Sequence, residues 1–221
     1  MMSSSINHKY TFHYSQPTDY HFSHDSVFLA QFVFDWLQKN PNQEANQIAD
    51  LCAGCGIIGM DLLFHLNENK IKLPSLTDFI ELQNVYENYF KKNKIELEQI
   101  LNQKTELNFI NANYADLTTN ENFKSKYNLI VCNPPYFKIG QGKLSPSEFK
   151  NRCRFYINSD FMNLLKFIKY SLVQTGVAFI LLRSLKDHGP DWNLNKLSHD
   201  LDLKFEIVGD VRGTAVLKIT I

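Results

Sequence analysis

The strongest constraint on the fold of this chain is the stretch at residues 129–137, with the sequence LIVCNPPYF. It begins as a short apolar run, which is typical of a strand buried inside a parallel sheet. The run stops at Pro134 and Pro135, because proline cannot donate to a sheet ladder and favours an extended exit from the strand. Ligands of open α/β sheets bind just beyond the carboxyl ends of the strands. The stretch therefore predicts an α/β fold with Asn133 at a ligand-binding crevice.

Alternating strand and helix patterns occupy the rest of the chain. An irregular arm at residues 1–22 precedes a helix at 26–39, for which Ser23 or Asp25 is the expected cap. Repeated βα units followed by a hairpin imply a doubly wound, mostly parallel seven-stranded sheet with an antiparallel edge. The patterns predict strands at 48–52, 76–81, 107–111, 127–132 and 177–182, helices at 56–65, 83–92 and 160–172, and a hairpin of 204–208 with 215–221 through a turn region at 209–213.

Length and hydropathy favour one domain in the cytoplasm. The 221 residues contain no repeat or low-complexity linker, so we expect a single domain at 1–221. It would consist of an N-terminal arm and helix at 1–40 and an α/β core at 46–221. No apolar stretch reaches the about 18–20 residues of a membrane helix, and the first residues lack the apolar segment of a secretory signal. A soluble cytoplasmic protein is the expectation.

Charge is balanced over the whole chain but not along it. Lys and Arg together number 23, as do Asp and Glu, so no global positive field indicates nucleic acid. Residues 138–169, however, carry seven cations and two anions, an excess of five positive charges directly after the predicted crevice. This segment is either a solvated basic loop or a phosphate-binding rim around the crevice.

Cysteines and histidines do not predict a metal or redox centre. Cys52 and Cys55 have C-x-x-C spacing, but no second such pair completes a zinc set, so all four cysteines are interpreted as reduced. The histidines near the N-terminus have no metal-binding spacing and are interpreted as surface or capping residues. They are His8, His13, His21 and His24.

The residues after the strand at 127–132 offer acceptors beside flat rings. The side chain of Asn133 carries a carbonyl acceptor, and Pro134 keeps its backbone carbonyl while lacking an N–H. Tyr136 and Phe137 supply aromatic faces. Such a set suits a planar group that bears an NH₂, such as the amine of adenine or a carboxamide.

A second polar turn follows the first predicted strand. Residues 50–56, DLCAGCG, open a helix, and glycines at such a turn allow positive φ and a close approach of the backbone to a ligand. The turn is neither G-x-G-x-x-G nor a Walker loop. One βα unit later, Glu81 ends the second strand, where a carboxylate can accept both hydroxyls of a ribose.

The order of these elements resembles that of the Rossmann-like class I S-adenosylmethionine (SAM) methyltransferases. Their first motif usually reads DLGTGSG, so Cys52, Ala53 and Cys55 replace Gly, Thr and Ser here. The resemblance implies SAM as cofactor and S-adenosylhomocysteine as product, with no metal. It assigns cofactor binding to Asp50, Cys52, Gly54, Gly56, Glu81 and Asn113, the last at a position where relatives usually carry an Asp that bonds the adenine amine.

Asn-Pro-Pro-Tyr at 133–136 resembles the signature of methyltransferases that act on amino or amide nitrogen. Residues 16–30, QPTDYHFSHDSVFLA, are similar to the segment before the glycine turn in bacterial tRNA(Val) adenine-N(6) methyltransferases, and place Asp25 near the methionine end of SAM. Release-factor glutamine methyltransferases share the tetrapeptide but carry a longer helical N-terminal domain. Guanine-amino rRNA methyltransferases usually have Phe in place of Tyr136. Residues 151–154 retain only Arg152 of the Ala-Arg-His-Glu found in relatives.

The resemblance implies a mechanism and a set of substrate contacts. The target adenine is flipped out and stacks on Tyr136 and Phe137. Asn133 and Pro134 accept the two amine protons, which directs the nitrogen lone pair toward the methyl group. RNA, expected to be tRNA, would contact residues of the basic segment. Those residues are Lys138, Arg152 and Arg154.

Two alternatives remain open from the sequence. A protein glutamine methyltransferase would use the same acceptors on a carboxamide and would not need the basic segment. A non-catalytic scaffold subunit would usually have lost the tetrapeptide at 133–136. The sequence does not predict the oligomeric state.

Overall fold

The computed structural model describes residues 11–12, 14–21, 24–183, 185 and 193–221. The predicted cap Ser23 and the histidines His8 and His13 lie outside these residues. Across the described part of the chain, the helices are too short or too polar to cross a bilayer.

Nine strands and six α-helices alternate along the described chain. The strands are β1 Gln47–Leu51, β2 Leu76–Glu81, β3 Glu106–Asn111, β4 Tyr127–Cys132, β5 Phe137–Lys138, β6 Phe155–Tyr156, β7 Leu172–Leu182, β8 Lys204–Val211 and β9 Thr214–Thr220. The helices are α1 His24–Lys39, α2 Ile57–Glu68, α3 Glu87–Ile100, α4 Glu148–Arg154, α5 Phe161–Ser171 and α6 Leu194–Leu201. Short 3-10 helices cover Asn84–Tyr86, Tyr114–Thr119 and Glu121–Phe123.

Seven strands form one sheet in the order β3-β2-β1-β4-β7-β9-β8. The first five are parallel, and β9 runs antiparallel to both β7 and β8. The predicted doubly wound sheet with a terminal antiparallel hairpin is confirmed. The chain leaves β1 toward β2 and β3 and then returns to β4 beside β1, which opens a crevice at their carboxyl ends. Leu51 and Cys132 are paired in register there, so the residues that follow them face each other across the crevice.

Helices cover both faces of the sheet. Alternate side chains of β4 therefore pack into two different cores. Leu129 and Val131 pack into the core that contains residues of α1, α2 and α3. Ile130 and Cys132 pack into the opposite core with residues of α5 and α6. All six residues of β4 are buried, which agrees with a strand at the centre of a parallel sheet.

Several boundaries differ from the sequence-based prediction. Helix α3 extends to Ile100 rather than ending near residue 92, because Leu97 continues its buried face. Strand β7 begins at Leu172, which pairs with Tyr127, and not at Val177. The hairpin turn is only Arg212 and Gly213, both with positive φ of 52° and 84°. Helices α4 and α6 and the two-stranded ladder of β5 with β6 were not predicted from the sequence.

The N-terminal arm is fixed to the core by buried polar groups. Asn93 of α3 is fully buried and bonds the arm at both backbone groups of Ser15, donating to its carbonyl at 3.0 Å and accepting from its N–H at 2.6 Å. The same amide donates to the Cys55 carbonyl at 3.0 Å. The Tyr14 hydroxyl donates to the buried Asp61 at 2.6 Å. Asn93 therefore ties the arm to the turn that follows β1.

Asn93→Ala should destabilise the protein, because it leaves the Ser15 N–H and two carbonyls without their partner. We expect a loss of roughly 2–3 kcal/mol in the free energy of unfolding, measured by urea denaturation. Asn122→Ala, at an exposed position, is the matched control. Equal stabilities of the two variants would contradict a role for Asn93 in holding the arm.

Candidate active site

A cavity of about 430 Å³ opens at the carboxyl ends of the parallel strands. The arm, the turn after β1, the ends of β2 and β3, and the segment from β4 to β6 form its walls. Most of the predicted site residues line it: Asp25, Cys52, Gly54, Glu81, Asn113, Asn133, Pro134, Tyr136, Phe137, Arg152 and Arg154. Asp50, Gly56 and Lys138 are not part of the cavity wall.

The turn after β1 holds its shape through three residues with positive φ. Cys52, Gly54 and Gly56 have φ of 56°, 54° and 90°. The last two use the conformational freedom of glycine. Cys52 occupies a left-handed conformation without that freedom, at a cost of roughly 1–2 kcal/mol. The turn keeps the shape expected from the sequence, and Cys52 and Gly54 reach the cavity while Gly56 lies behind it.

Glu81 fastens this turn to the end of β2. One carboxylate oxygen accepts from the Gly54 N–H at 2.9 Å, and the other accepts from the Gln83 N–H at 2.8 Å. Burial raises the pKa of Glu81, while the same N–H groups oppose that shift. The Leu82 N–H also contributes to this effect, and the carboxylate, with about four acceptor sites, keeps capacity for a ligand hydroxyl at the cavity wall.

Asn113 has structural partners as well as a place on the cavity wall. Its side-chain oxygen accepts from the Ala115 N–H at 3.0 Å and caps the 3-10 helix at Tyr114–Thr119. Its Nδ2 donates to the Asn158 carbonyl at 2.8 Å. The oxygen keeps one lone pair, which leaves it able to accept from a ligand amine.

The side chain of Asn133 is held at both ends by hydroxyl groups. Its Nδ2 donates to Ser26 Oγ at 2.9 Å, and its Oδ1 accepts from the Tyr136 hydroxyl at 2.5 Å. Ser26 lies in the first turn of α1 and is buried. Pro134 and Pro135 immediately follow Asn133 and restrict its backbone. The amide is therefore fixed in place before any ligand binds.

Tyr136 has a second role besides the predicted aromatic face. Its hydroxyl takes one lone pair of the same Asn133 oxygen that was predicted to accept an amine proton. Burial and the charge of Asp25 raise the pKa of Tyr136, so the phenol stays a neutral donor. The second lone pair of the Asn133 oxygen remains for a substrate.

Arginines and aromatic rings form the outer rim of the cavity. The guanidinium of Arg154 lies 6.0 Å from the ring centroid of Phe137 and 5.4 Å from that of Phe155. Arg183 lies 5.0 Å from the centroid of Tyr136 and 5.5 Å from that of Phe137. We call these five residues the arginine–aromatic rim.

The other predicted cations are placed differently. Arg152 lines the cavity but forms an ion pair with Glu148 at 2.5 Å within α4. Lys138 lies outside the cavity, because side chains alternate along β5 and its neighbour Phe137 takes the inward position. The basic segment thus contributes Arg152 and Arg154 to the cavity but not Lys138.

Asp25 and Asp50 also differ from their predicted settings. Helix α1 begins at His24, so Asp25 lies inside its first turn and is not its cap. Asp25 faces the cavity and pairs with Arg212 at 3.6 Å. Asp50 is fully buried and accepts from the Gly59 N–H at 2.8 Å, which fixes the start of α2 behind the turn. Its contribution to a ligand would therefore act through the turn.

Sequence reasoning missed residues that join the site across the fold. Ser26 holds Asn133, and Arg183 covers Tyr136, as described above. Cys153 at the end of α4 is in hydrogen-bond contact with Gln83 Nε2 at 3.4 Å and the Tyr86 hydroxyl at 3.3 Å. Of these residues, only Arg183 could have been predicted from sequence, because it directly follows β7, the strand that pairs with β4.

The cysteines form no disulfide: Cys52, Cys55, Cys132 and Cys153 are all free thiols. Among the residues that the structure describes, no three His, Cys, Asp or Glu side chains come together as a metal-binding group.

Comparisons with known proteins show the family to which this chain belongs. The family model described as methyltransferase small domain matches residues 21–145. This chain belongs to the methyltransferase small-domain family. A release factor glutamine methyltransferase of Mycoplasma mycoides is 32% identical over 115 residues, covering 52% of this chain and 35% of the relative. The chain thus spans about a third of the length of that relative.

Solved methyltransferase structures share the fold. The ribosomal protein L11 methylase of Lactobacillus delbrueckii has a TM-score of 0.52 at 13% identity, covering 90% of this chain and 79% of that one. The magnesium protoporphyrin IX methyltransferase of Synechocystis PCC 6803 has a TM-score of 0.54 at 13% identity, covering 88% and 79%. The predicted class I methyltransferase fold is confirmed.

The donors and acceptors of the methyltransferase cavity fit SAM. If SAM binds as the sequence predicts, Glu81 would accept from the ribose hydroxyls and Asn113 would accept from the adenine amine. The turn at 52–56 brings backbone close to the ligand through its glycines. In that orientation Asp25, which lines the same cavity, would lie toward the methionine part of SAM. A volume of about 430 Å³ lies within the usual range of small-molecule sites, roughly 300–1,000 Å³.

The buried carboxyl of Asp50 should make stability depend on pH. Burial raises its pKa from 3.8 to about 8, with the Gly59 N–H opposing and the Glu81 charge adding to the shift. The folded state therefore favours the protonated acid, and this contribution to stability is complete below the unfolded pKa and is lost as pH rises through about 8.

Asp50→Asn, which cannot ionise, should remove this part of the pH dependence. We expect the stability of the wild type relative to the variant to fall between pH 5 and pH 8, measured by urea unfolding at each pH. A constant difference over that interval would show that Asp50 does not titrate as its burial implies.

Proposed function

We propose that this methyltransferase transfers the methyl group of SAM to the exocyclic amine of an adenine in RNA. The arginine–aromatic rim is the observation that carries the proposal. Stacking surfaces interleaved with guanidinium groups are typical of sites that bind the bases and phosphates of single-stranded nucleic acid. The rim lies directly beside Asn133, whose amide oxygen offers a free lone pair to an amine.

In the proposed mechanism, the side-chain oxygen of Asn133 and the backbone carbonyl of Pro134 accept hydrogen bonds from the two N–H groups of the target amine. SAM, when bound, would supply the electrophilic methyl group and leave as S-adenosylhomocysteine when its methyl–sulfur bond breaks, and the methylated nitrogen would release one proton to water. The acceptors rotate the nitrogen lone pair out of conjugation with the ring, so that it can attack. Positive charge develops on the nitrogen, so acceptors fixed beforehand stabilise the transition state more than the ground state. The hydroxyls of Ser26 and Tyr136 provide that fixation.

The proposed RNA is a tRNA, with the adenine beside the anticodon of tRNA(Val) as the first candidate. The resemblance of residues 16–30 to that enzyme family supports it. In the structure, Gln16, Pro17 and Tyr20 of this segment line the cavity, so the segment contributes to the site itself. An anticodon loop also presents unpaired bases, which cost less to flip than bases in a duplex.

A protein glutamine methyltransferase is the second candidate. It is favoured by the similarity to a release factor glutamine methyltransferase over 115 residues. A carboxamide NH₂ would use the same acceptors at Asn133 and Pro134. It would leave the guanidinium groups of Arg154 and Arg183 without an anionic or aromatic partner in the substrate, which is why RNA is preferred.

The experiment that tests the proposal offers labelled SAM to unmodified total tRNA and to unmodified release factor in parallel. The RNA is then digested to nucleosides. N(6)-methyladenosine in the RNA fraction is the expected result and would identify the substrate. Label on the release factor alone would replace the proposal with the glutamine alternative.

Asn133→Ala should lower kcat by about 100-fold, because it removes an acceptor positioned for the transition state. SAM affinity, measured by calorimetry, should stay close to that of the wild type. Ser26→Ala, which removes only the hydroxyl that holds the amide, should lower kcat roughly 2- to 10-fold.

Ser171→Ala is the matched control for the loss of a buried hydroxyl, since Ser171 bonds the Phe167 carbonyl within α5. Its kcat should remain unchanged. Near-normal turnover by Asn133→Ala would remove Asn133 from the mechanism.

Arg154→Ala should weaken RNA binding and reduce the slope of log affinity against log salt by about one. Fluorescence anisotropy over a range of salt concentrations gives this slope. Lys166→Ala removes an exposed cation of α5 that does not line the cavity and should leave the slope unchanged. Identical slopes for both variants and the wild type would show that Arg154 makes no phosphate contact.

A further inference from the structure

The guanidinium of Arg183 lies over the Tyr136 ring, on the side where a substrate base would stack. It directly follows β7, the strand paired with β4, and so emerges beside Asn133 at the carboxyl edge of the sheet. The side chain is exposed and lines the cavity. Its guanidinium lies 5.0 Å from the centroid of the Tyr136 ring, and the hydroxyl of that same ring bonds Asn133.

The position of the Arg183 guanidinium is not explained by an ion pair with a carboxylate of the described residues. Within the described residues, Arg183 takes part in none of the ion pairs. Its neighbours are the rings of Tyr136 and Phe137, at 5.0 and 5.5 Å. A guanidinium is planar and weakly hydrated, so it stacks on aromatic faces in a way that an ammonium does not. Arg183 is thus held by ring faces and remains available to a ligand.

We propose that Arg183 and Tyr136 are the two faces of a slot that sandwiches the target base. This inference rests on the proposed function, and it names how that site recognises its substrate. A flat ring between two stacked planes needs a separation of roughly 7 Å, twice the contact distance of about 3.5 Å. The guanidinium therefore has to move outward by about 2 Å, which a long exposed side chain allows.

The slot places the base where the chemistry needs it. The Tyr136 ring is tied to Asn133 through its hydroxyl, so a base that stacks on that ring has its edge beside the Asn133 oxygen. Arg183 closes the open side of the base and excludes water from the amine. Arg183 is therefore a substrate-binding residue whose flat shape matters as well as its charge.

The competing explanation is that Arg183 contacts a phosphate. A lysine at position 183 could replace a phosphate contact but could not replace a stacking contact. Lysine keeps the charge for a phosphate but has no plane to stack on a base. We would compare the wild type, Arg183→Ala and Arg183→Lys, with Lys166→Ala as control. The probes are a short single-stranded RNA with one adenine and the same RNA with an abasic site at that position.

The slot predicts that both Arg183 variants bind the adenine RNA roughly 5- to 100-fold more weakly than the wild type in fluorescence anisotropy. Their affinity for the abasic RNA and for SAM should change little, and their melting temperatures should match that of the wild type. KM for the RNA should rise in both variants more than kcat falls.

Two results would overturn the slot. One is an Arg183→Lys variant that binds and turns over like the wild type. The other is an equal loss of affinity for the adenine and abasic RNAs. Failure of the proposed function has a different signature, since the wild type itself would then methylate none of the RNAs in unmodified total tRNA.

Discussion

The hydrogen bonds on either side of the Asn133 amide are the interactions on which the site depends. Ser26 comes from α1 and lies 107 residues away in sequence, whereas Tyr136 lies three residues away. Together with the two prolines that follow Asn133, they fix an acceptor before a substrate arrives. Fixed acceptors need little reorganisation when charge develops on the attacking nitrogen. In the proposed mechanism, the fold of the N-terminal region therefore contributes to the chemistry through Ser26.

Hydrogen bonds connect two walls of the cavity, the turn after β1 and the end of α4. Glu81 holds the turn after β1 through the Gly54 N–H, and it holds the backbone at Gln83. The side chain of Gln83, with Tyr86, contacts the sulfur of Cys153 at the end of α4. Residues that shape the cofactor turn therefore also set the position of the helix that carries Arg152 and Arg154.

The sheet, the turn at 50–56 and the positions of Glu81 and Asn133 at the cavity were accessible from sequence, because each depends on local pattern and strand order. Ser26 and Arg183 were not identified, since their partners lie in distant parts of the chain. Strands β5 and β6 have two residues each, too short for any periodicity to show. The position of Lys138 outside the cavity depends on the alternation of side chains along β5, and a strand-end carboxyl such as that of Asp50 can face either the cavity or the helix behind it.

A crystal structure of the protein with S-adenosylhomocysteine would test most directly that this cavity holds the cofactor with its reactive end at Asn133. The account predicts the ribose hydroxyls on the Glu81 carboxylate, the adenine amine near Asn113, and the sulfur on the Asn133 side of the cavity. A ligand bound in the reverse direction, with its adenine beside Asn133, would contradict the account. So would a ligand bound outside the cavity.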